Sequence, residues 1–208
     1  MDDQKVISLN WERYKKLLSK INNQELNDLL ETMETKDVEA FYVPGSTRTD
    51  LISCYLGGFV EHSLKVTSYA LKLKELYKFS EISNESILLV GLLHDLGKVG
   101  LLNHSTQKVI PYYIENTNDW GVKRGFIFEI NPKLTNWNIQ QLTLFNLQQF
   151  GVALSPDEYH AIYSIQKMND NSGIDYPKTN EPKLSVVLKQ AIVASTLETR
   201  GKQEVNLV

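Results

Sequence analysis

The chain has 208 residues, 42% of them hydrophobic and 23% charged, with a formal net charge of −3. That balance belongs to an ordinary globular chain, long enough for a sizeable core and without a global pull towards nucleic acid or an acidic membrane. Its single cysteine, Cys54, excludes a disulfide within the chain and a cysteine-based zinc cluster. No apolar run approaches the ~18 residues of a membrane span. The opening Met1-Asp2-Asp3-Gln4-Lys5 also lacks the pattern of a signal peptide, so a cytoplasmic protein with no membrane association is expected.

Residues 8–33 read as two short helices. Trp11, Tyr14, Leu17, Leu18 and Ile21 have helical spacing, and Leu26, Leu29, Leu30 and Met33 resume it after an Asn22-Asn23 break. The polar positions between them suit a solvated face. Residues 1–40 are therefore expected to be a helical segment packed on the core of a main domain over 41–208. Pro44-Gly45 marks a loop. Residues 57–79 predict a strong helix, with Val60, Leu64, Val66, Leu73 and Leu76 broadly on one side and His62 among them. Asn84 to Lys98 predicts the next helix, with Ser83 as N-cap and Gly100 past its end.

Residues 107–130 turn β-rich and predict a two-stranded hairpin over one mouth of the helical domain, with Lys123 and Arg124 beside it. Helical pattern returns at 138–150 and closes at Gly151. Ser155-Pro156-Asp157-Glu158 is a capping box that starts a helix through Met168. Asn169 to Pro182 reads as loop, and a last helix runs from Lys183 to Thr199 and stops near Gly201. The expected fold is mainly α, with a small β-hairpin insertion around 107–130.

The chemistry gathers at His62 and at His94-Asp95. A histidine near the start of one helix and a His-Asp doublet near the end of the next meet if the two form a hairpin. Imidazole nitrogen and carboxylate oxygen suit a divalent metal. Alone, His62 reads as a hydrogen-bonded core histidine; its pairing with His94-Asp95 makes it a ligand. Lys98, one turn after His94 and Asp95, falls on the same side. A cation there fits an anionic substrate between it and a metal, or simply the helix C-terminal dipole.

The runs Gly57-Gly58-Phe59-Val60-Glu61-His62-Ser63-Leu64 and Leu92-Leu93-His94-Asp95-Leu96-Gly97-Lys98 resemble the HD superfamily of metal-dependent phosphohydrolases. They are most similar to a branch common in bacteriophage and bacterial hydrolase-like proteins. Pro44-Gly45-Ser46-Thr47 and Trp120-Gly121-Val122-Lys123-Arg124-Gly125 resemble the same branch. The resemblance implies an HD-type helical fold, with His62, His94 and Asp95 as ligands of a divalent ion (Mn, Fe, Ni, Zn or Mg). It implies a phosphate contact for Lys98; on a hydrolase reading Asp95 and Lys98 are catalytic, Lys123 or Arg124 beside the hairpin joins Lys98 in offsetting charge on the substrate, and His104, in the loop after the His-Asp doublet, reaches substrate.

The family's usual last ligand is an Asp on the final helix, and the matching stretch here, Gln190-Ala191-Ile192-Val193-Ala194-Ser195, puts Ile192 at that place. Two-metal members add two histidines, where the register gives Asn138 and Ile165. The ligand set is thus incomplete, and Gln190, Glu198 and Glu158 are the side chains a shifted register would offer instead. His160 is expected on the surface of its helix. Two functions follow. One is hydrolysis of a nucleotide or other small phosphate ester by metal-activated water, rather than action on a long nucleic acid, since no basic stripe is present. The alternative is a catalytically eroded HD-fold protein that binds a nucleotide or a protein partner in a regulatory, phage–host role.

Overall fold

The apolar residues of the first forty positions face the same core as the rest of the chain. A computed structural model describes residues 3–168 and 180–205. Helix α1 (Asp3–Leu18) buries Trp11, Tyr14 and Leu18, and the Tyr14 hydroxyl donates to Leu92 O at 3.1 Å. Helix α2 (Gln24–Glu34) starts at the Asn break, where the Asn23 side chain accepts from Leu26 N. It is tied to α1 through Glu34, whose carboxylate accepts from Trp11 Nε1 at 2.8 Å and Lys15 Nζ at 2.7 Å.

Helices α3 (Gly58–Leu76) and α4 (Asn84–Leu93) form the central hairpin. Every residue from Ile87 to Leu93 is buried. The cause is enclosure: α1, α3, α7 (Pro156–Ser164) and α8 (Lys183–Val205) all pack against α4. Gly58 lets the preceding loop fold tightly onto α3, since a Cβ there would lie 2.0 Å from Ser53 O. One expected apolar position fails, because Leu76 is exposed at the end of α3.

The helix expected to reach Lys98 ends at Leu93 instead, and Leu96–Lys98 is a 3₁₀ turn. Helix α6 (Ile139–Gln149) is the physical reason. The Gly97 N–H donates to Thr143 Oγ1 at 2.8 Å rather than to a helical carbonyl, and a Cβ on Gly97 would sit 2.1 Å from Ile139 O. The chain then enters β1 (Gly100–Asn103), which pairs antiparallel with β2 (Lys108–Pro111). That hairpin was not expected, because Gly100 read only as a helix stop. It is pinned along α6 by Asn146, which donates to Gly100 O and accepts from Leu102 N.

The expected hairpin is present as β3 (Tyr113–Glu115) paired with β4 (Phe128–Ile130). The two strands are joined not by a simple turn but through α5 (Asp119–Val122). The predicted capping box opens α7, which ends at Ser164 and passes into a 3₁₀ turn over Ile165–Met168. Most of the expected loop that follows lies outside the described residues. Helix α8 runs through Gly201 to Val205 rather than stopping near it; one glycine in a helix costs only about 1 kcal/mol. Eight α-helices and two two-stranded sheets among the described residues make the fold mainly α. No described helix is long and apolar enough to cross a membrane.

Candidate metal centre

His62 sits near the start of α3, His94 caps the end of α4, and Asp95 opens the 3₁₀ turn. The α3–α4 hairpin brings all three together and buries them to 4%, 1% and 6% exposure. One ligand atom from each lies within 4.8 Å of the others. Asp95 Oδ2 is 3.5 Å from His94 Nε2 and 3.8 Å from His62 Nε2. The sequence expectation that these three side chains converge matches the geometry.

Each imidazole is oriented through its other nitrogen. His94 Nδ1 is 2.9 Å from Gly91 O, and His62 Nδ1 is 3.3 Å from Ser195 Oγ on α8. His94 Nε2 is buried with no hydrogen-bond partner among the described residues. Leaving such an atom unsatisfied costs about 1–3 kcal/mol, so an orphan aimed at a carboxylate and a second imidazole wants a ligand. A histidine fixed by one nitrogen to a carbonyl, with the other free to coordinate, is how metal-ligating imidazoles are held. The residues present therefore fit a divalent ion.

The electrostatics agree. Burial lowers His62 to about 3, helped by Lys98 and opposed by Asp95. His94 is lowered for the same first reason. Both rings are thus neutral near pH 7, which makes their approaches to Asp95 something other than ion pairs. Neutral imidazole is also the form that binds metal. Burial alone would raise the Asp95 carboxyl, but Lys98, His94 and His62 together hold it well below the usual carboxylate range. Lys98 Nζ lies 2.6 Å from Asp95 Oδ2. The cation expected to need a substrate anion already has one in Asp95. At the mouth, Tyr113 on β3 is within electrostatic reach of Asp95: burial, then the Asp95 charge, pushes its phenol up.

The remaining expected substrate contacts do not join this cluster. His104 stands in the turn after β1 with its ring 4.7 Å from that of Phe150. Thr143, whose hydroxyl donates to His94 O at 3.3 Å, is seven residues back along α6, roughly 10 Å of helix. The β1 strand carries His104 away because it runs along α6. Lys123 is exposed, and the Arg124 guanidinium lies over the Trp120 ring, 3.9 Å from its centroid. The lysines whose charge the two imidazoles feel are Lys98 and, at His62, Lys65.

No carboxylate from α8 enters the cluster among the described residues. Ile192 packs on the core, Ile165 is buried at the end of α7, and Asn138 caps α6 while donating to Gln166. The shifted-register candidates are engaged elsewhere: Gln190 with Tyr77, Glu198 with Tyr69, Glu158 with Ser86 and its own capping box. His160 is half-buried rather than a surface residue, its Nδ1 lying 2.8 Å from Ser185 Oγ. Sequence reasoning missed Ser195, Thr143 and Tyr113. Ser195 had a signal, standing one helical turn after Ile192, but a carboxylate was sought there.

Residues 59–141 match the family model of the HD domain. That stretch, less than half of the chain, is similar to an HD domain. The matched stretch takes in His62, His94, Asp95, Lys98 and both hairpins, and stops at the first turn of α6. Comparisons with curated proteins and with solved structures give no match. Helix α8 lies beyond the matched stretch, so the departure at Ile192 falls outside it.

Proposed function

We propose that this HD domain hydrolyses a small phosphate ester, a nucleotide first among them, with a divalent ion held by His62, His94 and Asp95. The observation that supports this most is the buried, unpartnered Nε2 of His94, aimed at Asp95 and His62. Two neutral imidazoles and one carboxylate favour Mn, Fe, Ni or Zn over Mg. The chemistry a bound ion supplies there is polarisation of a phosphoryl oxygen and activation of water. Asp95, kept ionised, serves as ligand. Lys98, held against Asp95, presents its ammonium to the charge that grows on the phosphate.

Metal content after purification without chelator tests the reading, beside His94→Ala and Asp95→Ala. The expected result is at least one bound ion, lost in both variants, with release of phosphate from a panel of nucleotides. Absence of metal even after millimolar Mn, Ni or Zn sinks the proposal. The second reading, an eroded scaffold that binds a nucleotide or a protein in a regulatory role, is favoured by one observation. The last helix delivers a serine rather than a carboxylate to the cluster. Stoichiometric metal without turnover on the whole panel would select it.

A further inference from the structure

A trough between α1 and α3 has a character unlike the rest of this acidic chain. One wall is Val6, Asn10, Arg13, Lys16 and Leu17 of α1, with Lys20 just past its end; the other is Glu61, Leu64, Lys65 and Ser68 of α3. Both sets follow the i, i+3, i+4, i+7 spacing of positions that meet a third helix laid along the pair. The cavity holds about 580 Å³ and runs on, through Val6, Asn10 and Glu61, into a second of about 520 Å³ ending at Tyr55 and Leu56. From Val6 to Leu17 the α1 wall extends roughly 16 Å, about three turns of a partner helix.

Charge selects the occupant. Lys15, outside the trough, is used by Glu12 and Glu34, and Lys65 is paired with Glu61 at 2.7 Å. Arg13, Lys16 and Lys20 have no ion pair among the described residues, although the chain's net charge is −3. The helix dipole accommodates cations at the end of α1; between them Val6 is half-buried, and Leu17 and Leu64, packed on the core below, leave part of their surface to the trough. An apolar floor under unpaired cations complements a helix with leucine-like and acidic side chains. At the other end, Tyr55 and Leu56 are 42% and 52% exposed, beside the carboxylates of Asp3 and Glu61. The exposed Asp3 carboxylate opposes any anion at this end, which places a partner's acidic residues over Arg13, Lys16 and Lys20 and its leucine-like side chains over Tyr55 and Leu56.

We propose that the α1–α3 trough is a docking site for an acidic amphipathic helix of a partner protein, with its acidic end over Arg13, Lys16 and Lys20. This is independent of the metal centre. The test titrates the full chain against a fluorescein-labelled model helix with leucines at i, i+3, i+4 and i+7 flanked by glutamates. Beside it run the same peptide with alanines for leucines, a labelled oligodeoxythymidine, and sedimentation of the protein alone. The expected result is saturable binding of the leucine peptide, about tenfold tighter than the alanine peptide. Arg13→Glu with Lys16→Glu and Lys20→Glu weakens it at least about tenfold, and so does Asn10→Trp, which fills the trough without changing charge. The charge-matched control Lys36→Glu with Lys108→Glu and Lys133→Glu, all exposed and outside the trough, leaves it unchanged. Equal binding of both peptides, no binding, preference for the oligonucleotide, or a dimer that the same reversals dissociate would each overturn the proposal.

Discussion

At the scale of single residues, the centre depends on what holds its ligands as much as on the ligands. His94 is fixed by a backbone carbonyl, which no side-chain substitution removes, whereas His62 is fixed by Ser195 Oγ at 3.3 Å. Removing such a supporting hydrogen bond typically weakens metal affinity about 10–100-fold. Ser195→Ala is therefore expected to raise the metal dissociation constant within that range while leaving the folded structure intact. Competition against a chromophoric chelator measures it. Ile192→Ala, which alters only packing, is expected to leave affinity within about twofold on the same assay. Equal losses in both variants would show that Ser195 acts through the packing of α8 alone.

At the scale of elements, the site is built where α4 is cut short. A glycine at position 97 lets α6 approach until Ile139 O would meet a Cβ at 2.1 Å, and the same approach puts Thr143 on His94 O. Overpacking of this kind, against backbone rather than a flexible side chain, costs typically 1–3 kcal/mol or somewhat more. Gly97→Ala should thus lower Tm by roughly 5–10 °C in a chain of this size, and should weaken metal binding as the turn carrying Asp95 shifts.

The sequence made His62, His94, Asp95 and Lys98 legible because their meeting depends on one helical hairpin with short-range spacing. It did not reveal the end of α4, because the stop comes from α6, forty residues on, and not from a local breaker. Nor did it show that His104 packs on Phe150, for a related reason. Nearness in the chain to His94-Asp95 suggested nearness in space, while β1 leads away along α6. The capping box at Ser155 was read correctly because such a box is satisfied entirely within its own turn.

At the scale of the whole molecule, the buried imidazoles couple stability to pH and to metal in the same direction. His62 is lowered from its ordinary 6.5 to about 3. Below about pH 6.5 the unfolded chain therefore takes up a proton that the native state refuses, and stability falls as pH drops towards 3. His94, lowered as well, adds to this loss, and Asp95 adds its own once pH passes below its ordinary carboxylate value of 3.8. Urea unfolding in the presence of chelator should show stability rising from about pH 3 to pH 6.5 and flattening above, with a smaller rise in His62→Gln.

An ion that binds only the native state should then raise stability by about 2.7 kcal/mol at a hundred times its dissociation constant. For a chain of this length that is a Tm increase of about 5–10 °C. The increase should hold while both native imidazoles stay neutral, should shrink only as pH falls towards 3, where protons compete for His62, and should vanish in His94→Ala. A thermal scan with Mn, Ni and Zn at two pH values reads all three trends without relying on turnover, so it tests the ligand set separately from catalysis. A Tm unmoved by every ion at neutral pH would mean that the orphaned His94 nitrogen is not filled by a metal, and the three residues would then be a packed polar cluster.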